Sequence, residues 1–441
     1  MKTIFEILLF VMVVILLNSC STIEPPLPPT EPPKAIKLNL IDVSCTEAFI
    51  NVNAADTVLP VNITLKKDNT ELFSFTLTKA DTVVIDTTLQ PNITYTYQTT
   101  AQINAKEENG DTIQAKALPL TSHNFTWQKF TFGIGASSVL RDVAIIDENN
   151  IWAVGEIYAD TTGQAYNAVH WDGTNWTLKK IYYYGACSAV EYPPLKAIYA
   201  FSSNNIVITN GGSIGWFDGN SVILDCGVNP LLTGSINKIW GISSNDLYIV
   251  GNDGNIAHYQ NGVWSKIESG TNLNIVDIWG DTNPFTNKTE IICGAANIFV
   301  NPGSDLIRIK DDFTTEILDK TGMGQTFAPL WFKSGIRYYV VGGGLYKKTY
   351  KDTAIWIDLN QNRIITQYFM ECIRGSALNN IIVAGAYGEV LHFNGQSWVS
   401  IKNAETELNN GSYYRVAVKG NVVVAVGYDQ NKGVVLIGHH Q

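Results

Sequence analysis

The sequence predicts an all-β protein in which a small β-sandwich precedes a seven-bladed β-propeller. A pattern of four short strands recurs seven times from residue 124 onward, at intervals of 39 to 55 residues, and such a period is typical of propeller blades. Residues 35–120 instead alternate apolar and polar side chains, which predicts a sandwich. The 36 Gly and 15 Pro residues fit a turn-rich chain, and the 45% hydrophobic content can fill large cores.

Residues 1–19 are predicted to be a lipoprotein signal peptide. The apolar run Ile7–Leu17 is shorter than the roughly 20 residues that span a bilayer. It ends in Leu17-Asn18-Ser19-Cys20, which resembles the lipobox of bacterial lipoproteins. The resemblance implies that Cys20 becomes the lipidated mature N-terminus. Because Ser21 follows Cys20, the resemblance also implies a cell-envelope location at the outer membrane. An ordinary cleaved signal peptide is the alternative.

Residues 20–34 contain the lipidated Cys and a proline-rich tether, which favours an extended, semi-rigid spacer. The sandwich segment that follows contains Leu89-Gln90-Pro91-Asn92-Ile93-Thr94-Tyr95-Thr96-Tyr97. This run resembles the corner of fibronectin type III domains, in which a Tyr hydroxyl ties a strand to the preceding loop. The resemblance implies an immunoglobulin-like (fibronectin III-type) sandwich, with Tyr95 as the corner residue and a spacer role.

Residues 236–270 give the clearest single blade. Asp253-Gly254 and Asn261-Gly262 are strong hairpin signals, and a Ser/Asn/Asp turn precedes them. They separate four predicted strands, which are Ile236–Gly241, Leu247–Gly251, Asn255–Gln260 and Val263–Glu268. A meander of this size cannot bury both of its faces alone and therefore needs neighbours of the same kind.

The repeats place their first strands in a common register and suggest how the ring closes. The aligned positions are Val143, Ile198, Ile239, Ile278, Trp331, Ile373 and Val416. The last repeat has three strands and lacks a Trp-bearing fourth. Phe125–Phe130 precedes the first repeat and is predicted to supply that fourth strand, so that residues 124–441 form one closed propeller.

Three repeats share a His…Gly…Trp cassette, seen in His170–Trp176, His258–Trp264 and His392–Trp398. It resembles repeats of bacterial surface propellers of the Asp-box and kelch-like kind, and the resemblance implies a structural hairpin. Symmetry separates the histidines around the ring, so they predict no metal site, and no cofactor is predicted. The Trp of each cassette is expected to cover the space between blades.

Composition and motifs exclude several classes of function. The net charge is −10 and no Lys/Arg run occurs, which disfavours nucleic-acid binding. No hydrolase, metalloprotease or nucleotide-binding motif is present. Arg374 and Arg415 occupy comparable repeat positions and are candidates for a polar site on the ring axis. A glycan-active enzyme, a hydrolase or lyase with an axial site, is therefore the runner-up hypothesis.

Insertions between the strands of the first blades point to a binding face. In propeller connectivity, loops after second strands and between blades emerge on one face, and insertions there are often the binding face. The inserted tyrosines offer rigid amphipathic contact area and are Tyr158, Tyr166, Tyr182, Tyr183, Tyr184 and Tyr192. Cys187 and Cys226 bracket the second blade and form a possible disulfide, with buried free thiols as the alternative.

The leading prediction is therefore a cell-envelope lipoprotein, anchored to the membrane only by its N-terminal lipid. Its propeller is predicted to bind an unidentified protein or glycan without catalysis. A glycan-active enzyme is the first alternative, and a structural scaffold of an envelope assembly is the second.

Overall fold

The computed structural model describes residues 34–54, 57–134, 137–159, 163, 165–283, 286–297, 303–324, 326–349 and 355–441. Strands, turns and loops make up these ranges, together with two short 3-10 helices, η1 (Asn229–Leu231) and η2 (Gln361–Arg363). No helix within the described ranges is long and apolar enough to cross a bilayer. The predicted signal peptide, Cys20 and nearly all of the tether lie outside the described residues.

The first seven strands form two facing antiparallel sheets. They are β1 (Lys37–Val43), β2 (Ala48–Asn53), β3 (Val61–Lys67), β4 (Thr70–Leu77), β5 (Asp81–Asp86), β6 (Thr94–Ile103) and β7 (Lys106–Lys116). One sheet has the order β1-β2-β5 and the other β4-β3-β6-β7. Ile50, Leu65 and Tyr97 are fully buried in the core between them. At the expected corner, the Gln90 N–H donates a hydrogen bond to the Tyr95 hydroxyl at 2.9 Å.

The rest of the chain forms seven four-stranded antiparallel sheets, numbered here as sheets 1 to 7 in chain order. One strand, β8 (Phe125–Phe132), precedes them. Sheet 1 consists of β9 (Val139–Asp147), β10 (Asn150–Ile157), β11 (Tyr166–Trp171) and β12 (Trp176–Lys179). Sheet 2 consists of β13 (Ala197–Ser202), β14 (Asn205–Thr209), β15 (Ile214–Phe217) and β16 (Val222–Asp225). Sheet 3 consists of β17 (Ile236–Ser243), β18 (Asp246–Gly251), β19 (Asn255–Gln260) and β20 (Val263–Glu268).

Sheets 4 to 6 repeat this meander with shorter outer strands, whereas sheet 7 takes its outer strand from the start of the repeats. Sheet 4 consists of β21 (Ile275–Thr282), β22 (Thr289–Asn297), β23 (Gly303–Ile309) and β24 (Thr315–Ile317). Sheet 5 consists of β25 (Phe327–Lys333), β26 (Arg337–Gly342), β27 (Leu345–Thr349) and β28 (Ile357–Asp358). Sheet 6 consists of β29 (Met370–Ala377), β30 (Asn380–Gly385), β31 (Val390–Phe393) and β32 (Trp398–Ser400). Sheet 7 combines β8 with β33 (Gly411–Lys419), β34 (Val422–Asp429) and β35 (Lys432–His440).

The first strands of the seven sheets contact one another in cyclic order, from β9 through β13, β17, β21, β25 and β29 to β33, which contacts β9 again. The predicted completion of the last repeat is confirmed, because β8 pairs with β35 from Phe125↔His440 to Phe132↔Gly433. The N-terminal and C-terminal strands of the ring therefore pair with each other inside sheet 7.

Matching rows of side chains run across the sheets, from the first strand to the fourth. In sheet 3 the row is Gly241, Leu247, Tyr259 and Trp264, and its outer two rings lie 5.0 Å apart between centroids. Sheets 1 and 6 have the same outer aromatic pair, Trp171–Trp176 and Phe393–Trp398. Each pair packs against an aromatic side chain of the preceding sheet, namely Phe130, Trp216 and Tyr339. The Trp of the cassette therefore fills the space between neighbouring sheets, as expected.

The predicted register needs one correction, in sheet 5. Leu330, not Trp331, occupies the position of Ile239, because Leu330 pairs with Val340 as Ile239 pairs with Ile249. Two adjacent large apolar residues in the sequence make either choice plausible from periodicity alone. The interval from the aligned position of sheet 4, Ile278, to that of sheet 5, Leu330, is therefore one residue shorter than the sequence suggested.

The sandwich packs directly against sheets 5 and 6. Phe49 of β2 is fully buried in the same cluster as Trp331 of β25. Beside it, the Arg337 guanidinium donates to both carboxylate oxygens of Glu47, each at 2.8 Å. Nearly every residue of β2 is buried, since one face looks into the sandwich and the other into the propeller. The two parts of the chain therefore share a core and a largely buried ion pair.

Candidate functional site

Four inserted tyrosines come together where sheet 1 leads into sheet 2. Tyr182 lies between Tyr184 and Tyr192, with ring centroids 6.2 and 5.8 Å apart. The Lys180 ammonium lies over the rings of Tyr166 and Tyr192, at 4.9 and 5.8 Å from their centroids. Tyr182 and Tyr184 are 51% and 54% exposed. Tyr166, Tyr182, Tyr184 and Tyr192 are called the tyrosine surface below. Tyr182 and Tyr184 are its most exposed members, and Tyr166 and Tyr192 are half-buried.

Tyr183 corrects the predicted binding face, because its side chain is fully buried. Its hydroxyl donates to the carbonyl oxygen of Ser213 at 2.7 Å, and burial raises its pKa above the usual range. Side chains alternate along an extended segment. With Tyr183 pointing inward, Tyr182 and Tyr184 must point outward. Tyr183 therefore anchors the tyrosine surface rather than forming part of it.

Tyr158 is also separate from the other tyrosines. Its hydroxyl donates to Glu156 at 2.5 Å, and its backbone N–H donates to the Ser138 hydroxyl. The bond to Glu156 raises the pKa of the Tyr158 hydroxyl. The sequence grouped Tyr158 with the cluster because both lie in insertions of one blade. Its backbone hydrogen bonds, however, join it to the turn that follows β8.

The segment that carries the tyrosine surface is fixed at three points. The fully buried Asn167 accepts from the Ile181 N–H at 2.7 Å and donates to the carbonyl oxygens of Ile181 and Pro193. A disulfide joins Cys187 to Cys226 of the next sheet, with the two Cα atoms 5.6 Å apart. The surface is therefore held in place before any partner arrives.

Arg374 and Arg415 both lie at the centre of the ring, where charged side chains bridge sheets that are not neighbours. The Arg374 guanidinium of sheet 6 donates to both carboxylate oxygens of Asp277 in sheet 4, at 2.6 and 2.9 Å. Lys238 of sheet 3 bonds to Asp142 of sheet 1 at 2.5 Å. Arg415 of sheet 7 donates to the carbonyl oxygen of Val276 at 2.9 Å.

Asp277, Arg374 and Lys238 are buried, and burial and ion pairing act on their pKa values in opposite directions. Burial alone would raise the pKa of Asp277, but the Arg374 guanidinium outweighs burial and holds that pKa below the usual range. Burial lowers the pKa of Lys238, although Asp142 acts in the opposite direction. The Arg374 Nη1 also donates to the carbonyl oxygens of Leu330 and Ile373. Its terminal nitrogens are thus already used, so they are poorly placed to receive a substrate.

Sequence reasoning found the two arginines but missed Asp277, which pairs with Arg374, and the second central pair, Asp142 with Lys238. All three directly precede an aligned apolar position of a first strand, at Val143, Ile239 and Ile278. A comparison of the residues next to the aligned positions would have shown that the repeats place opposite charges there. That signal was available, although it does not say which sheets pair.

The cassette histidines each bond within their own surroundings. His170 bonds to Asn150 at 2.9 Å and His258 to Asp246 at 2.8 Å. His392 is fully buried and its Nδ1 lies 2.9 Å from the Nδ1 of His123. Each therefore contributes to hairpin or joint structure, in keeping with the structural role expected from the sequence.

Comparison with known proteins identifies the fold of the repeats. A solved structure of YCF48 bound to a D1 peptide matches with a TM-score of 0.54 at 15% identity, over 73% of this chain and 100% of that one. YCF48 from Cyanidioschyzon merolae matches with a TM-score of 0.52 at 14% identity, over 71% and 98%. The WD40 β-propeller domain of Doa1 gives 0.48 at 13% identity, over 71% and 97%.

No protein-family model and no curated protein matched the chain. The likeness to the YCF48 structures shows that this all-β chain contains a β-propeller built from repeats. At such low identities the likeness extends to the fold alone.

Proposed function

We propose that the chain is a noncatalytic interaction module that binds a partner polypeptide on the tyrosine surface. The observation that carries the proposal is the pair of exposed rings, Tyr182 and Tyr184, held outward by the buried Tyr183 between them. Tyrosine gives large contact area at a small cost in conformational entropy, and it is common in protein-binding surfaces. The fixed segment reduces that cost further.

A polypeptide is favoured over a glycan as the partner. One structural neighbour, YCF48, was solved with a D1 peptide bound, and a propeller is a frequent scaffold for protein interactions. A likeness of fold does not place a ligand, so the proposal names the class of partner and not its identity.

The experiment compares the double variant Tyr182→Ser/Tyr184→Ser with the full-length protein in a pull-down from envelope extract. Tyr387→Ser is the control, because Tyr387 is 47% exposed but lies after β30, on another part of the ring. We expect the double variant to bind its captured partner at least about tenfold more weakly, while the control binds normally. Equal affinity of the unmodified protein, the double variant and Tyr387→Ser contradicts the proposal. Selective binding to a glycan array would mean that the partner is a glycan and not a polypeptide.

The setting of this module is a further part of the proposal. The ring has seven blades, supported by the seven sheets in cyclic contact. The preceding sandwich is of the fibronectin III type, supported by its strand orders and by the Tyr95 hydrogen bond. Cys20 is lipidated, which anchors the chain to the outer membrane. A Cys20→Ala variant should then leave the membrane fraction, and its retention there would refute the anchor.

Axial catalysis is not favoured as the function. The Arg374 guanidinium is engaged with Asp277 and with two backbone carbonyls. A glycan turnover assay on the full-length protein tests this, because any released product that disappears in Arg374→Lys would restore the enzyme hypothesis.

A further inference from the structure

A cleft of about 860 Å³ lies between sheets 4 and 5. Its floor consists of buried apolar side chains from both sheets, Ile292, Leu306, Leu330 and Val340. The volume lies within the range of about 300–1,000 Å³ that is typical of ligand pockets. The space between these two sheets is thus incompletely filled by the described residues.

The row of side chains that crosses sheet 5 borders this cleft. Phe332 pairs with Tyr338 and Tyr338 with Lys348, and Trp356 follows as the fourth member. In sheets 1, 3 and 6 the third member of the row is aromatic, namely Trp171, Tyr259 and Phe393. Sheet 5 has Lys348 there, with its ammonium 5.8 Å from the Trp356 ring centroid. A cation–π contact therefore stands in place of an aromatic pair.

The mouth of the cleft is charged but nearly balanced. Four cationic and five anionic side chains line it, and most are paired. Arg308 bonds to Glu290 at 3.0 Å and Lys288 to Asp311 at 2.7 Å. Glu290 also accepts from the hydroxyl of Tyr338 at 2.7 Å. A charged group would gain little at such a mouth, whereas a neutral apolar group gains the free energy of leaving water.

We propose that this cleft is a second binding site, which accepts a neutral aromatic side chain of a partner polypeptide. The inserted ring takes the place that Trp171, Tyr259 and Phe393 occupy in their own sheets. Each of those rings lies on a β-strand of its own sheet. An extended segment of a partner polypeptide could therefore present a ring in the same way. The class of partner rests on the proposed polypeptide-binding function, whereas the location of the site does not.

The test uses the full-length protein and a set of short probe peptides, acetyl-Gly-Ser-X-Ser-Gly-amide with X as Trp, Phe, Leu, Lys or Ala. Binding is measured by saturation-transfer NMR and by equilibrium titration. We expect the Trp and Phe peptides to bind at least about tenfold more tightly than the Ala and Lys peptides. Equal binding of all five peptides overturns the proposal.

Variants at Lys348 locate the site. Lys348→Tyr supplies the missing ring and should abolish binding of the Trp peptide while raising Tm, because it fills the cleft. Lys348→Ala leaves the cleft open and should keep binding. Lys266→Tyr places the same side chain on an exposed strand of sheet 3 and should change nothing. Unaltered affinity in a folded Lys348→Tyr protein overturns the proposal.

The tyrosine surface provides the final control. The double variant Tyr182→Ser/Tyr184→Ser should bind the Trp peptide as the unmodified protein does, even where it has lost its envelope partner. If this variant loses the Trp peptide, the probe binds at the tyrosine surface and the cleft proposal is wrong. Loss of the Trp peptide in Lys348→Tyr, together with its retention in the tyrosine double variant, supports the cleft even if no envelope partner binds the tyrosine surface.

Discussion

Individual charged residues hold the centre of the ring together. Asp277 and Arg374 are separated by 97 positions in the chain and by one intervening sheet, yet they form a two-oxygen ion pair. Taking two such groups out of water is costly, and the cost is recovered only while both partners are present. The free energy of unfolding therefore depends strongly on keeping the pair intact.

Replacing Arg374 by Met keeps much of the side-chain volume but leaves the Asp277 carboxylate buried without its partner. We expect Arg374→Met to lower the free energy of unfolding by about 3–5 kcal/mol. Adding Asp277→Asn removes the charge and keeps an oxygen for the Leu330 N–H, so it should restore part of the loss. Denaturant unfolding measures both variants, and a loss below about 1 kcal/mol for Arg374→Met would refute the role assigned to the pair.

His392 is predicted to make the protein sensitive to mild acid. Burial and the neighbouring histidines, His123 and His440, lower the pKa of His392 to about 3. The unfolded chain protonates near pH 6.5, so it binds the proton more readily than the folded chain. The stability contributed by the neutral ring is complete above pH 6.5 and is lost as the pH falls from there toward 3.

The measurement is the free energy of unfolding at pH 7.5 and pH 5.0. The unmodified protein should lose up to about 2 kcal/mol more over this interval than His392→Gln, which cannot titrate. Identical losses would show that His392 takes no part in the acid response.

At the scale of elements, the segment between β12 and β13 shows how an insertion becomes a rigid surface. Its residues alternate between Ile181 and Tyr183, which are buried, and Tyr182 and Tyr184, which are exposed. The Cys187–Cys226 disulfide then closes a loop of 39 positions around sheet 2. Such a cross-link stabilises the fold mainly by restricting the unfolded chain.

Replacing both cysteines, as Cys187→Ala/Cys226→Ala, should lower the free energy of unfolding by about 2–4 kcal/mol. Partner binding should weaken as well, because the exposed tyrosines lose one of their supports. Thermal unfolding with and without a reductant provides the check, since a reductant should lower Tm in the unmodified protein only. A reductant effect of equal size on the double variant would contradict the structural role of the bond.

The regular elements were the most predictable from sequence. All four strands expected in residues 236–270 are present, and β19 and β20 have the expected bounds. Tight Asn-Gly and Asp-Gly turns fix such hairpins locally. The pairing of Arg374 with Asp277 could not be predicted in this way, because it depends on how the whole ring closes. The alternation that buries Tyr183 was visible, but which tyrosine points inward depends on the pocket beside Ser213.

At the scale of the whole molecule, the sandwich and the propeller are joined by a packed apolar contact and an ion pair. Glu47 and Phe49 reach into the propeller at Arg337 and Trp331. The first residues of β1 lie at the other end of the sandwich, since β1 runs from Lys37 toward the Ser44–Glu47 turn.

Arg337→Met should loosen this joint without unfolding either part, because Glu47 is 20% exposed by its side chain and can return to water. We expect one calorimetric transition in the unmodified protein and two in the variant. Faster proteolysis between Leu120 and Asn124 should accompany the change. A single transition at an unchanged Tm would mean that the shared apolar core alone couples the two parts.

The pairing of β8 with β35 also has a consequence for biosynthesis. The outer strand of sheet 7, β8, lacks its partner β35 until the ribosome has added residues 432–440, some 300 positions after β8. At about 5–20 residues per second, β8 waits roughly 15–60 s for its neighbour. During that interval β8 is an unpaired strand that can associate with other chains. A chaperone that covers β8 would therefore be most useful while the chain is still being synthesised.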